Sequence, residues 1–195
     1  RRVDRRDAGA ADAHVCDGGR PGGVVTDHPV DGSDDRRPRG VSGAATVTAL
    51  SNHIAAPVGD FILDARVRVE GAGAGGIAFR TLDATHTYAA MLVPSGDTVE
   101  LRRLDGATST KLAANAEVTD DVEEWRWMRV QAQGARVRVW IDGDLVYDYL
   151  DVGAAGRIWA AGSIGAIAVN ASVYVDEIAV TACTGTASDA GPGVE

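Results

Sequence analysis

"WRWMRVQAQGARVRVWIDGDLVYDYL" (Trp125–Leu150) is the stretch that decides the fold, because strand periodicity and turn residues agree along its whole length. Apolar and polar side chains alternate on both sides of Gly134, which is typical of two strands that each bury one face. Asp142 and Gly143 are residue types that accept the positive φ angles of a tight turn. The stretch therefore predicts an antiparallel hairpin, followed by a third strand, with Val130 and Val139 in the core.

Outward from this hairpin, strand patterns continue in both directions. The segment DFILDARVRVE (60–70) alternates in the same way, and further short alternating runs extend to Thr181. The glycine-rich GAGAGG (71–76) leads into another strand, so it lacks the strand-to-helix context of a phosphate-binding loop. No segment of useful length has helical periodicity. Strands joined by turns every ten or so residues indicate an all-β sandwich or barrel.

Composition divides the chain into three parts. Residues 1–40 contain no Ile, Leu, Met, Phe, Tyr or Trp, so we expect a disordered tail or linker that buries too little apolar surface to fold. Residues 41–182 form the predicted sandwich domain, and 183–195 return to a tail composition. Cys16 and Cys183 lie outside the patterned region, and the sequence leaves open a disulfide between them, free thiols or intermolecular pairing.

The charge of the chain limits its partners. A net charge of -9 argues against binding nucleic acid or an anionic membrane surface, and it favours a neutral partner. No apolar run approaches the roughly 20 residues that span a bilayer, so membrane insertion is not expected. We expect no cofactor, although a structural calcium ion is conceivable at the acidic run 117–124 or at Asp176. We favour a solvated loop for the run, and for Asp176 a role in bracing the last strand. The sequence leaves metal binding elsewhere in the chain undetermined.

Four segments in order resemble the concanavalin A-like lectin/glucanase superfamily, in particular its laminin-G-like and 3-keto-disaccharide-hydrolase-like jelly rolls. They are DFILDARVRV, then GGIAFR (75–80) with Tyr88 downstream, then WRWMRVQAQGARVRVWIDG, then SIGAIAV (163–169) with VYVDEIAV (173–180). The resemblance covers about residues 58–181. It implies a two-sheet antiparallel jelly-roll β-sandwich, with the first Trp and the DG turn of the hairpin as determinants of the fold.

The sequence departs from the catalytic members of that superfamily. Sandwich glucanases carry an E-x-D-x-x-E strand whose two carboxylates act as nucleophile and acid, and this chain has no such strand. The Gln-Ile-His strand of alginate-lyase-like relatives is also missing. We therefore assign no catalytic residue, and we favour a protein that is not an enzyme over one that is.

A set of polar-face residues on the hairpin is the first candidate binding site. With Gly134 and Ala135 as a two-residue turn, Arg129 lies opposite Trp140, and Trp127 is their diagonal neighbour. Aromatic rings stack on the apolar faces of sugars while Arg and Gln bond hydroxyl groups. The predicted glycan platform is Trp127, Arg129, Gln131, Arg138 and Trp140. The alternative is that these side chains only pack, with Arg129 over Trp140 as a self-contained cation–π pair.

Arg80 and Tyr88, which flank one predicted turn, form a second candidate ligand-binding patch. Together these features predict a non-catalytic carbohydrate-binding or accessory module of a secreted or cell-surface glycan-active protein, with a polysaccharide or oligosaccharide as partner and other domains in a larger parent protein. One alternative is a glycoside hydrolase or polysaccharide lyase of the same fold. The other is a structural adhesion module.

Overall fold

A computed structural model of the chain describes residues 21–26, 39–43, 47–50, 59–114, 116–118, 124–152, 158 and 161–183, the first three ranges as backbone. The strands are β1 (Pro21–Thr26), β2 (Arg39–Gly43), β3 (Val47–Leu50), β4 (Phe61–Glu70), β5 (Ala74–Asp83), β6 (His86–Val93), β7 (Thr98–Asp105), β8 (Thr108–Lys111), β9 (Ala116–Glu117), β10 (Arg126–Gln133), β11 (Arg136–Ile141), β12 (Asp144–Leu150), β13 (Ser163–Val169) and β14 (Ala171–Cys183).

The strands form two antiparallel sheets. The first, sheet A, has the order β1-β14-β4-β10-β11-β12, with β2 also paired to β14. The second, sheet B, has the order β3-β13-β5-β6-β7-β8, with β9 also paired to β7. Consecutive strands are neighbours in the hairpins, whereas β14 returns from the end of the domain to pair with β4. This is the predicted all-β jelly-roll sandwich.

The hairpin has the predicted register. Arg129 pairs with Trp140 and Val130 with Val139, so Gly134 and Ala135 form the two-residue turn. Asp142 has a φ of 51° and Gly143 a φ of 96°, which places both in the left-handed region that the second turn requires. The core positions of the hairpin are therefore confirmed, because Val130 and Val139 are fully buried.

The core lies between the sheets and consists of the inward-facing residues of both. In β4 every second side chain from Phe61 to Val69 is fully buried, as the alternation predicts. Sheet B contributes Phe79 and Tyr88, whose rings stack with centroids 5.7 Å apart, and Phe61 of sheet A meets Phe79 edge-on at 6.0 Å. These aromatic contacts join the two sheets at the centre of the sandwich.

Polar bridges join the sheets near their ends. The guanidinium of Arg80 in β5 donates to the carbonyl oxygens of Gly59 and Gly134 and to Asp60 Oδ1, at 2.7–3.0 Å. Asp60 Oδ1 also accepts the Gly134 N–H at 2.9 Å. The hydroxyl of Tyr147 in β12 donates toward the Val99 carbonyl of β7. Each bridge provides hydrogen-bond partners for buried polar groups and links one sheet to the other.

Strand β1 lies within residues 1–40, for which a disordered tail was expected. Its backbone pairs with β14 between Pro21↔Cys183 and Thr26↔Ala179. As an edge strand, β1 pairs through backbone N–H and C=O groups, so it does not require the large apolar side chains whose absence suggested disorder. The rest of that range, apart from β2, and residues 184–195 lie outside the described residues, so the three domain boundaries stay a prediction.

Cys183 is disulfide-bonded, and the sequence contains one other cysteine, Cys16.

Candidate functional site

The outer face of sheet A brings the predicted platform residues together. Trp127 and Arg129 of β10 lie beside Arg66 and Asp64 of β4 on one side. On the other side, Arg129 is opposite Trp140, as predicted. Gln131 faces Arg138 in the same register. Trp127, Arg129, Arg138 and Trp140 therefore share one surface, whereas Gln131 is buried among them. The use of this surface as a ligand site remains a prediction.

The position of Trp127 is determined by the second turn of the hairpin. Asp142 Oδ1 accepts the backbone N–H of Trp127 at 2.9 Å, and its Oδ2 pairs with the guanidinium of Arg126 at 2.9 Å. Arg126 is buried on the opposite face of the strand, so the start of β10 is held tightly. The indole of Trp127 nevertheless remains 43% exposed. An exposed indole on a rigid strand is a preorganised stacking surface.

The charged members of the platform are engaged in ion pairs rather than in the cation–π contact considered above. Arg129 makes two hydrogen bonds to Asp64, Nε to Oδ1 at 2.6 Å and Nη2 to Oδ2 at 3.1 Å. Arg138 donates to Gln131 Oε1 at 3.4 Å and lies 3.5 Å from Asp148. Gln131 is itself buried. The ring of Trp140, which is half-buried, is thus bordered by charges that neutralise one another.

Sequence reasoning missed further residues on this face. Arg66 of β4 makes cation–π contacts with Trp127 and with Trp125, which lies just before β10. Arg68 of β4 makes them with Trp125 and with Tyr174 of β14. The alternation of β4 already placed both arginines on the polar face. Their proximity to Tyr174 could not be predicted, because it depends on the pairing of β14 with β4.

Arg80 and Tyr88 lie in the interior of the sandwich, 2% and 1% exposed, and not on the expected surface patch. Arg80 has a φ of 49° at an irregularity in the β5–β6 pairing, and this breaks the alternation of side chains along β5. Burial lowers the pKa of Arg80 despite the attraction of Asp60. In this structure Arg80 bridges the sheets and its guanidinium is not presented to a ligand.

Tyr88 belongs to a buried hydrogen-bonded group. Its hydroxyl donates to Asp151 Oδ2 at 2.6 Å, the Arg103 guanidinium pairs with the same oxygen at 2.8 Å, and the Ile158 N–H approaches the hydroxyl at 3.3 Å. Burial, reinforced by the Asp151 carboxylate, raises the pKa of Tyr88 to about 12. The group ties β6 and β7 of sheet B to the residue that follows β12 of sheet A, which favours a structural role.

The outer face of sheet B carries one buried charge. Glu100 of β7 is 7% exposed and pairs with Arg102 Nε at 2.6 Å and with Lys111 Nζ at 3.0 Å. Burial alone would raise its pKa, but hydrogen bonds from Arg102 and Lys111 outweigh burial and lower it. Apolar neighbours, among them Met91 and Ile167, are buried on the same face. This cluster is the second place where the described residues concentrate polar chemistry.

Hydrogen bonds lower the pKa of Asp83, Glu100 and Asp148. Their donors are His86 and Thr85 for Asp83, Arg102 and Lys111 for Glu100, and Arg136 for Asp148. Asp176 Oδ1 accepts the Glu177 N–H at 2.9 Å, consistent with bracing the irregular part of β14. No group of three metal-ligating side chains occurs in the parts of the chain that the structure describes.

Comparison with known proteins gives a family and a set of structural neighbours. The family described as the 3-keto-alpha-glucoside-1,2-lyase-like domain matches residues 36–181. No curated protein matches the sequence. Within the described residues, no helix is long and apolar enough to cross a membrane.

Three solved structures with the same architecture are a carbohydrate binding module, a fructosyltransferase and a beta-fructofuranosidase. The carbohydrate binding module CBM66 from Bacillus subtilis is similar with a TM-score of 0.62 and 22% identity, over 71% of this chain and 83% of that one. A fructosyltransferase from A. japonicus has a TM-score of 0.52 at 16% identity, over 83% of this chain and 26% of the enzyme. A beta-fructofuranosidase from Aspergillus kawachii, complexed with glycerol, has a TM-score of 0.53 at 10% identity, over 82% and 27%. At these identities the likeness is one of fold.

Proposed function

The chain belongs to the 3-keto-alpha-glucoside-1,2-lyase-like domain family, and we propose that within this family it is a non-catalytic carbohydrate-binding module that uses the outer face of sheet A. The observation that carries the proposal is the exposed indole of Trp127, which Asp142 holds in place beside Arg129 and Trp140. Trp127, Arg129, Arg138 and Trp140 form the proposed contact surface, and Gln131, which is buried, accepts a hydrogen bond from Arg138. Sugar rings would stack on the indoles while the guanidinium groups bond the hydroxyls.

The charge of the surface supports a neutral ligand. Arg129 is paired with Asp64, and Arg138 lies close to Asp148, so the platform has little net positive charge. An acidic ligand would require arginines with free guanidinium groups, whereas a neutral sugar requires stacking surfaces and hydrogen-bonding groups. The names of the structural neighbours, a carbohydrate binding module and two enzymes acting on fructosyl sugars, support the same class of ligand.

We further propose that the parent protein is secreted or displayed on the cell surface and contains other domains. The disulfide at Cys183 supports an oxidising compartment, because cytosolic thiols are kept reduced. The two fungal enzymes support a multidomain parent, since the matched region is about a quarter of each of them.

Binding to neutral oligosaccharides tests the proposal. Isothermal titration with fructo-oligosaccharides and malto-oligosaccharides should detect binding to the full chain, and Trp127→Ala should weaken it by about 1 to 3 kcal/mol, roughly 5- to 150-fold in Kd. Leu82→Ala is the matched control, because Leu82 is 52% exposed but lies on sheet B. Its Kd should equal that of the wild type, and both variants should melt close to it.

The alternative outcomes identify what is wrong. If the wild type binds no sugar in either series, the proposed function is refuted. If Glu100→Gln abolishes binding while Trp127→Ala leaves it unchanged, the site lies on sheet B and the platform is not the binding surface. If the chain breaks the glycosidic bond of an α-glucoside, by hydrolysis or by elimination, it is an enzyme and the non-catalytic assignment is wrong.

A further inference from the structure

Five residues on the outer face of sheet A form an aromatic–arginine strip, and none of them except Trp127 belongs to the proposed platform. The strip consists of Arg66, Arg68, Trp125, Trp127 and Tyr174. Tyr174 of β14 pairs directly with Arg68 of β4, and Arg66 pairs directly with Trp127 of β10. Trp125 immediately precedes Arg126, the partner of Val67, so it lies level with Arg68. The strip therefore crosses three adjacent strands.

The two arginines are held between rings. The Cζ of Arg68 lies 4.8 Å from the Tyr174 ring centroid and 5.4 Å from that of Trp125. The Cζ of Arg66 lies 5.2 Å from Trp125 and 6.0 Å from Trp127. These distances are within the range of cation–π attraction. The side chains are thus ordered before any ligand arrives, which reduces the entropy lost on binding.

The charges of the strip cancel. Arg66 pairs with Glu177 at 3.4 Å, and Arg68 pairs with Glu70 at 2.8 Å. The exposed fractions of the four side chains range from 32% to 47%. Solvent screens ion pairs this exposed, so the two pairs contribute little to stability. Their effect is to leave a surface of three rings with almost no net charge. Such a surface favours a neutral ligand over a phosphorylated or acidic one.

The direction of the strip indicates the shape of the ligand. Neighbouring strands lie about 4.8 Å apart, so the distance across β14, β4 and β10 is roughly 10 Å. Trp127 and Trp125 lie two residues apart at the start of β10, roughly 7 Å, and Tyr174 lies level with Trp125 on the far side of β4. A single sugar ring covers one aromatic side chain, whereas a chain of sugars that passes from Trp127 to Trp125 and then crosses β4 would also reach Tyr174. The rings of Trp125 and Tyr174 are half-buried and that of Trp127 is exposed, so each retains accessible surface.

We propose that the aromatic–arginine strip is an extended subsite that binds a neutral oligosaccharide chain across the strands of sheet A. This inference rests on the proposed function, and it adds Arg66, Arg68, Trp125 and Tyr174 to the binding residues. Affinity then depends on chain length, because short sugars occupy Trp127 alone and longer ones also reach Tyr174.

Titration with oligosaccharides of increasing length tests this. The wild type should bind each series of malto-oligosaccharides and fructo-oligosaccharides more tightly as sugars are added, until the strip is covered. Trp127→Ala should weaken binding at every length, whereas Tyr174→Ala should weaken only the longer sugars, by roughly 3- to 10-fold for one lost ring contact. Tyr174→Phe keeps the ring and should match the wild type. Tyr174→Thr, which removes the ring but places a β-branched residue with high strand propensity at this position, serves if the Ala variant does not fold.

The failures of the two proposals can be distinguished. If Tyr174→Ala or Tyr174→Thr binds long sugars as the wild type does while Trp127→Ala weakens binding, the strip is refuted and the platform stands. Affinity that does not change with length in the wild type also refutes the strip. If the wild type binds no sugar of any length, both proposals are refuted.

Discussion

Replacing Asp60 by alanine tests the physical account of the sandwich most directly. Asp60 accepts hydrogen bonds from the Arg80 guanidinium and from the Gly134 N–H. The Arg80 side chain is 3% exposed, so Asp60→Ala leaves a positive charge in the interior without its counter-ion. Breaking a buried ion pair by removing one partner costs about 3 to 5 kcal/mol. Because the Asp60 side chain is itself partly exposed, we expect the lower end, about 3 kcal/mol.

For a chain of this size, 1 kcal/mol corresponds to about 2 to 4 °C in melting temperature. Asp60→Ala should therefore lower the Tm by about 6 to 12 °C. Asp64→Ala is the matched control, since Asp64 is the same residue type, lies in β4 four residues after Asp60, and pairs with Arg129. Both side chains of that pair are about a third exposed, so its loss should cost about 0 to 1 kcal/mol. Urea denaturation and thermal melting of both variants measure the difference.

The double variant Asp60→Ala/Arg80→Met completes the experiment. It removes the buried charge together with its partner, so it should be more stable than Asp60→Ala alone. Two results would refute the reasoning. One is equal stability of Asp60→Ala and Asp64→Ala, and the other is a double variant less stable than Asp60→Ala. Either would mean that the Arg80 charge is solvated and that the bridge between the sheets contributes little.

Two further predictions concern the core and its close packing. An unfolded tyrosine has a pKa near 10, whereas the pKa of Tyr88 is raised to about 12 in the folded protein. The buried neutral phenol therefore contributes its full stability below about pH 10, and this contribution should be lost as the pH rises to about 12. The free energy of unfolding from urea titrations should fall more steeply in this window for the wild type than for Tyr88→Phe, and equal slopes would contradict the burial of the phenol. A Cβ on Gly76 would lie 2.1 Å from the carbonyl oxygen of Ala90, whereas on Gly96 the nearest atom is 3.7 Å away. Gly76→Ala should therefore lower the free energy of unfolding by about 1 to 3 kcal/mol or more, and Gly96→Ala should lower it much less, as measured by thermal melting. Similar melting temperatures of the two variants would show that β5 and β6 can move apart to make room for the methyl group.

The sequence by itself determined strands β4, β10 and β11, their buried faces and the register of the central hairpin. A strand alternates its side chains with a period of two, so the pattern in β4, β10 and β11 specifies which residues are buried. A two-residue turn then sets which residues pair, and Arg129 does lie opposite Trp140. These are local properties, because they depend on residues close together in the chain. The predicted platform residues followed from the same local rules.

Only the tertiary structure decided where Arg80, Tyr88 and Tyr174 lie. The irregularity at Arg80 breaks the alternation of β5, and its partners Gly59 and Gly134 come from the other sheet. Tyr88 meets Asp151 across 63 residues of chain, and Tyr174 reaches Arg68 because β14 inserts beside β4. Such contacts depend on the order of strands in each sheet and on the packing of one sheet against the other. No local pattern of residues encodes them, since each joins segments that the chain brings together only when the whole sandwich closes.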